Sequence, residues 1–165
     1  MLSRYYWITT FLFGFVFSQD SSFTFQQNDY VNIQSANTIQ PQNAMTIECW
    51  VNPDQQNYNN FDPIIQFLRI TGEGQESGFS IIYYDGMFRF IVGVGSGQND
   101  IFGDGLELWP GITVNSDTWT HIAGTYDSST GIAKIFKNGY EQASFVTEGG
   151  SVNWDYISDM DMKIG

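Results

Sequence analysis

This sequence of 165 residues contains few basic residues, one cysteine and one histidine. There are 6 Lys+Arg against 18 Asp+Glu, which gives a formal net charge of −12. The basic residues are scattered along the chain, whereas a phosphate-binding face needs clustered Lys and Arg. The sequence therefore argues against a nucleic-acid partner. An apolar content of 42% argues against a disordered chain and favours one folded domain.

A single cysteine excludes an internal disulfide framework and a zinc site built from cysteines. Cys49 lies in an alternating segment in which Met45, Ile47 and Val51 share its parity. Because strand residues two apart share one face, we predict a small buried thiol on the core face of a strand. The alternative is a thiol that pairs between chains.

One stretch of the sequence is long, apolar and uncharged, namely Tyr5–Phe17. As a helix it would reach about 20 Å, which is short of the roughly 30 Å hydrocarbon core of a bilayer. The small residues Val16 and Ser18 precede a possible cleavage point. We therefore predict a signal peptide at 1–18, a domain at 19–165 and no membrane span after the signal is removed. An uncleaved signal anchor is the alternative.

After residue 18, no apolar stripe of helical period extends beyond about one turn, and a period of two recurs instead. Asp85-Gly86 and Asn138-Gly139 each separate two alternating segments. Both pairs tolerate the positive φ angles of a type I′ hairpin turn. Short strands at this spacing indicate an all-β, antiparallel two-sheet sandwich or jelly roll. The predicted strands are Ser22–Phe25, Tyr30–Ile33, Met45–Val51, Pro63–Ile70, Phe79–Tyr84, Met87–Val94, Trp119–Tyr126, Ile132–Lys137, Tyr140–Phe145 and Lys163–Gly165.

Two blocks of the sequence resemble one known superfamily. The opening block comprises Phe23-Thr24-Phe25, Asp29–Ile33 and Met45–Val51. The stronger block is Trp119–Asp127, which continues through Gly131 to Phe136–Gly139, and Lys163-Ile164-Gly165 follows. Together they resemble the concanavalin A-like laminin-G/pentraxin superfamily. The resemblance implies a two-sheet jelly roll whose members mostly bind glycans or protein partners, often with calcium.

The sequence departs from that superfamily at its end. Members continue past the Lys-Ile-Gly strand into closing strands, whereas this sequence ends at Gly165. A sandwich without its last strands would expose backbone groups and core side chains, which natural sheet edges avoid. We expect a truncated sequence that lacks the closing strands. The alternative is a partner chain that completes the sandwich by donating a strand.

The acid pairs that a glycoside hydrolase needs are not evident. Such enzymes hold two carboxyl groups roughly 5–9.5 Å apart. Asp104 and Glu107 fall in a predicted loop, and no third acid follows Asp159 and Asp161. The Glu-x-Asp-x-x-Glu pattern of related hydrolases is absent. His121 lies in the matched strand, where we predict a hydrogen-bonded histidine at the edge of the core. The sequence therefore predicts no enzyme.

Acidic loops are the candidate calcium sites, because calcium prefers six to eight oxygen ligands. The glycine-rich segment 95–105 brings Asn99, Asp100 and Asp104 together, and we predict Asp100 and Asp104 as metal ligands. A second candidate cluster comprises Asp155, Asp159 and Asp161, with Asp127 nearby in space. Solvated surface carboxylates are the alternative for both.

Aromatic residues in loops are the candidate ligand-binding residues, since sugars present flat apolar faces to aromatic rings. We predict Trp109, Trp154 and Tyr58 in this role, with Asn99 beside them to bind hydroxyl groups. For the loop tryptophans, capping of the core is the alternative. Two further tryptophans lie in the matched strands and are predicted to be core residues, namely Trp50 and Trp119.

These observations predict a secreted or cell-surface, non-enzymatic recognition module that binds a glycan or an extracellular protein, with calcium as a candidate cofactor. The runner-up is a structural or assembly subunit whose sandwich a partner chain completes. A divergent glycosidase-like domain without an intact acid pair is the third hypothesis.

Overall fold

The structure is a computed structural model, and it describes residues 22–25, 29–34, 38–53, 62–70, 76–84, 86–94, 111–146, 149–157 and 159–165. Within these ranges it contains nine β-strands. Their bounds are β1 Val31–Ile33, β2 Ala44–Val51, β3 Asp62–Ile70, β4 Glu76–Tyr84, β5 Met87–Val92, β6 Thr120–Asp127, β7 Ile132–Lys137, β8 Tyr140–Val146 and β9 Met162–Ile164.

The described strands form two antiparallel sheets. A five-stranded sheet has the order β1-β9-β3-β4-β5, and a four-stranded sheet has the order β2-β6-β7-β8. The turn between β7 and β8 has φ angles of 50° at Asn138 and 80° at Gly139, as the predicted type I′ hairpin requires. The predicted all-β, two-sheet sandwich is thereby confirmed. Ser22–Phe25, predicted as a strand, pairs with none of the described strands.

The inner faces of both sheets form one apolar core. Phe90 of β5 and Ile122 of β6 are almost fully buried there. A Cβ atom at Gly124 of β6 would collide with the ring of Phe90. The two sheets can therefore pack closely at this point because Gly124 has no side chain.

The segment before β9 is fastened to the ends of β4 and β5 through Asn153. Its backbone carbonyl accepts a hydrogen bond from Gly78 N at 2.7 Å, and its N–H donates to Gly93 O at 2.9 Å. Its side-chain amide donates to the carbonyl of Glu76 at 2.9 Å. These contacts fix the position of the next residue, Trp154, relative to the five-stranded sheet.

Cys49 lies on the core-facing side of β2, as the sequence pattern predicts. The side chain is half-buried and packs against the core, together with its strand neighbour Val51. Burial, aided by the negative charge of Glu48, raises the pKa of the Cys49 thiol to about 11. The thiol is therefore protonated and unreactive at neutral pH in the folded protein.

We expect thiol reagents to modify Cys49 slowly in the native protein. At about pH 8 the raised pKa leaves roughly a hundredfold less thiolate than in the unfolded chain, and the thiolate is the reacting species. Rates measured in buffer and in denaturing urea provide the comparison.

The same shift makes stability depend on pH. Because the folded pKa of the thiol is raised, its contribution is complete below the unfolded pKa and is lost as pH rises through about 11. This loss of stability at high pH should be absent in Cys49→Ala, which is the matched control.

Equal labelling rates in the folded and unfolded protein would contradict the buried thiol.

Candidate functional site

Two sets of candidate residues lie within the described ranges, namely Trp154 and the second candidate calcium cluster of Asp127, Asp155, Asp159 and Asp161. The remaining candidates lie outside the described residues and stay predictions, namely Tyr58, Asn99, Asp100, Asp104 and Trp109.

Trp154 packs against the rim of the core. Its ring centroid lies 5.7 Å from that of Phe67 and 6.1 Å from that of Phe79, the latter ring being perpendicular. The buried indole Nε1 has no hydrogen-bond partner among the described residues. The contacts are those of a residue that caps the core, and a ligand-binding role for Trp154 stays a prediction.

Acids of the second predicted calcium cluster have other partners. Asp159 forms an ion pair with Arg69 at 3.2 Å, and Asp161 accepts a hydrogen bond from Asn32 at 2.8 Å. Asp127 caps a turn, where hydrogen bonds from the side chain and backbone of Ser129 lower its pKa. In the described ranges, no three His, Cys, Asp or Glu residues are grouped so as to hold a metal ion.

Trp50, on β2, and Trp119, directly before β6, are both exposed, so their predicted place in the core is wrong. Trp50 is 63% exposed and Trp119 is 50% exposed. The reason is strand parity, because Trp50 alternates with the inward-facing Cys49 and Val51 and must point outward. The alternating pattern of the sequence already carried this signal, but the resemblance had assigned both residues to the core.

The outward ring of Trp50 lies against a histidine and a glutamate. His121 is the cross-strand partner of Trp50, and their ring centroids are 5.3 Å apart. His121 Nε2 lies 3.5 Å from Oε2 of Glu48, whose side chain is largely exposed. His121 therefore lies on the outer face of the sheet. The predicted position at the edge of the core is wrong.

The turn between β7 and β8 holds this part of the sheet in place. Asn138 Oδ1 accepts a hydrogen bond from His121 N at 2.9 Å, and Asn138 N donates to His121 O at 2.8 Å. Tyr140, at the start of β8, is highly exposed at the same end of the sheet. We call Trp50, Trp119, His121 and Glu48 the aromatic surface, and Tyr140 flanks it.

The basic residues in the described part of the chain all have intramolecular partners. Arg69 binds Asp159, Lys134 binds Glu141 at 2.7 Å, Lys137 donates to Thr113 O at 2.6 Å, and Arg89 and Lys163 lie over the rings of Tyr84 and Tyr30. These partners are spread over the fold. Among the described residues, the charged group that lies against His121 is the Glu48 carboxylate, at 3.5 Å. The electrostatics of the aromatic surface therefore favour a neutral ligand over an anionic one.

The sequence matches the family Laminin_G_3, of the concanavalin A-like lectin/glucanases superfamily, over residues 25–159. The chain therefore belongs to this family. A search of curated proteins gave no match. In the part of the chain that the structure describes, no helix has the length and apolar character needed to span a bilayer.

Several solved structures are similar to this chain over 82% of its length. The receptor-binding domain of botulinum neurotoxin C/D mosaic serotype is 16% identical with a TM-score of 0.47, and this chain spans 31% of that structure. A heptameric SAP-like pentraxin from Limulus polyphemus is 12% identical with a TM-score of 0.33 and 66% of its chain covered. The full extracellular region of zebrafish Gpr126/Adgrg6 is 12% identical with a TM-score of 0.39 and 18% covered.

We expect Trp154→Ala to destabilise the protein far more than Trp50→Ala. Truncating the ring that packs on Phe67 and Phe79 opens a cavity at the core and should lower the free energy of unfolding by about 2–3 kcal/mol. The exposed Trp50 ring packs against one aromatic ring among the described residues, that of His121. Its loss should lower the free energy of unfolding by less than about 1 kcal/mol. Urea unfolding measures both, and equal losses would contradict the division between core and surface tryptophans.

Proposed function

We propose that this protein is an extracellular or cell-surface, non-enzymatic recognition module that binds a neutral glycan at its aromatic surface. Membership of a laminin-G family within a lectin superfamily supports a binding role. The observation that carries the proposal is the exposed ring of Trp50, held against His121 and beside Glu48. The predicted signal peptide at 1–18 supports the location.

The chemistry of the aromatic surface suits a sugar. Exposed tryptophan rings present flat apolar faces that stack on the C–H face of a pyranose. The carboxylate of Glu48 can accept hydrogen bonds from hydroxyl groups, and His121 can donate or accept them. Apolar stacking that is oriented by a few polar groups is the usual composition of a small-ligand site.

Charge distinguishes neutral from anionic glycans. A sulfated or sialylated chain would need unpaired basic residues, and the basic side chains of the described residues are already engaged with internal partners. The formal net charge of −12 adds long-range repulsion to any anionic ligand. The proposal is therefore limited to uncharged sugars, and a protein ligand becomes an outcome of the test.

Calcium is proposed as a cofactor on sequence grounds. The acids Asp100 and Asp104 in the glycine-rich segment 95–105 have the oxygen ligands that calcium prefers. A bound ion would add to ligand binding without acting as a catalyst.

We expect the protein to bind unsubstituted neutral oligosaccharides on a glycan array and to bind neither heparin nor sialylated glycans. Trp50→Ala and Trp119→Ala should each reduce the signal at least about tenfold, because aromatic residues at the centre of a binding site contribute most of its affinity. Val146→Ala is the matched control, since Val146 is 69% exposed at the far end of the same sheet.

Several outcomes of the array would contradict the proposal. Binding that is unchanged in Trp50→Ala and Trp119→Ala would remove the aromatic surface from the site. Selective binding of heparin would contradict the neutral character of the ligand. Binding of no glycan at all would contradict a glycan ligand and favour a protein partner. The array is repeated with EDTA and after Ca²⁺ is restored. A reversible loss of signal supports the calcium proposal, and an unchanged signal overturns it.

A further inference from the structure

The outer face of the four-stranded sheet carries an aromatic side chain beyond those of the aromatic surface, namely Phe136 of β7. Its cross-strand partners are Ala123 of β6 and Glu141 of β8. Side chains alternate between the two faces along a strand, and the preceding residue, Ile135, is buried in the core. Phe136 therefore points to the same outer face as Trp50, and it is half-buried there.

The pairing of the strands fixes the distance between Trp50 and Phe136. Ala123 pairs with Glu48 on one side and with Phe136 on the other, and Trp50 lies two residues from Glu48 along β2. Two strand spacings and two residues along a strand place the Cα atoms of Trp50 and Phe136 about 12 Å apart. A pyranose ring is close to an aromatic ring in size, so a single sugar cannot stack on both side chains.

Small or planar groups form the surface between these two side chains. The ring of His121 packs against Trp50, and Ala123 follows His121 on the same face of β6. Ala123 has only a methyl group, so no long side chain at this position stands between Trp50 and Phe136. Among the described residues, the route from Trp50 to Phe136 therefore runs over an imidazole ring and a methyl group. We call Trp50, His121, Ala123 and Phe136 the stacking path.

A carboxylate borders the stacking path at each end. Glu48 lies 3.5 Å from His121 at the end formed by β2. Glu141, the partner of Phe136, forms an ion pair with Lys134 at 2.7 Å at the other end. Carboxylate oxygens accept hydrogen bonds from hydroxyl groups. Both ends of the stacking path thus combine an aromatic ring with a group that can orient a sugar.

We propose that the stacking path binds an internal segment of an unbranched neutral polysaccharide, which lies across β2, β6 and β7 with one sugar on Trp50 and another on Phe136. The inference rests on the proposed function and names the class of glycan. A single terminal sugar is usually held in a concave pocket, whereas the stacking path lies on the outer face of a sheet, where a polymer can extend past both rings. The glycan is therefore recognised by its length rather than by its end.

The test is calorimetry of the full chain with neutral oligosaccharides of increasing length. The probes are cello-, laminari-, manno- and N-acetylated chito-oligosaccharides, each from the monosaccharide to the hexasaccharide. In a series that binds, we expect the hexasaccharide to bind at least about fivefold more tightly than the disaccharide, which is the factor expected for one further stacked ring.

Phe136→Ala should remove this gain and leave binding of the disaccharide unchanged, because only the longer chain reaches Phe136. Phe136→Tyr, which keeps an aromatic ring, should retain the gain. Ile132→Ala is the matched control, since Ile132 is a half-buried residue on the same face of the same strand. Equal weakening of the disaccharide and the hexasaccharide in Phe136→Ala would indicate a structural role and overturn the inference.

The remaining outcomes separate this inference from the proposed function. Equal affinity for the disaccharide and the hexasaccharide, with both lost in Trp50→Ala, would overturn the inference and leave the neutral-glycan site in place. A gain with length that persists in Phe136→Ala would overturn it in the same way. Binding of no oligosaccharide would contradict the proposed function as well. The comparison of chain lengths on the unaltered protein stands even if Phe136→Ala fails to fold.

Discussion

The close approach of the two sheets at Phe90 and Gly124 is the contact on which the rest of the structure depends. The ring of Phe90 on one sheet fills the space that a side chain at position 124 on the other would need, so the sheets pack closely at this point. Once this contact is set, the parity of every paired strand decides which residues enter the core.

Parity explains the division of the tryptophans. Trp50 alternates with Cys49 and therefore faces outward next to His121, where its ring is exposed. Trp154 comes from a segment that Asn153 fastens to the five-stranded sheet, and its ring closes the rim of the core on Phe67. One residue type thus occupies two settings, an exposed sheet face and the rim of the core, according to the backbone that holds it.

Much of the fold was predictable because it depends on local patterns. Alternation placed Cys49 on the inner face, and the Asn138-Gly139 pair specified the turn between β7 and β8. The candidate site was less predictable because it depends on pairing between strands. Trp50 and Trp119 were assigned to the core through their position in a matched block, although alternation pointed Trp50 outward. The contact of His121 with Glu48 and Trp50 follows from the β2–β6 register, which no local pattern specifies.

The central claim is that a ligand binds at the aromatic surface rather than at the rim of the core. The most direct measurement is an NMR titration of the assigned indole N–H signals with the neutral oligosaccharide that binds best. We expect the signals of Trp50 and Trp119 to move with ligand concentration and the signal of the buried Trp154 indole N–H to stay unchanged. Movement of the Trp154 signal, with Trp50 and Trp119 unchanged, would contradict it.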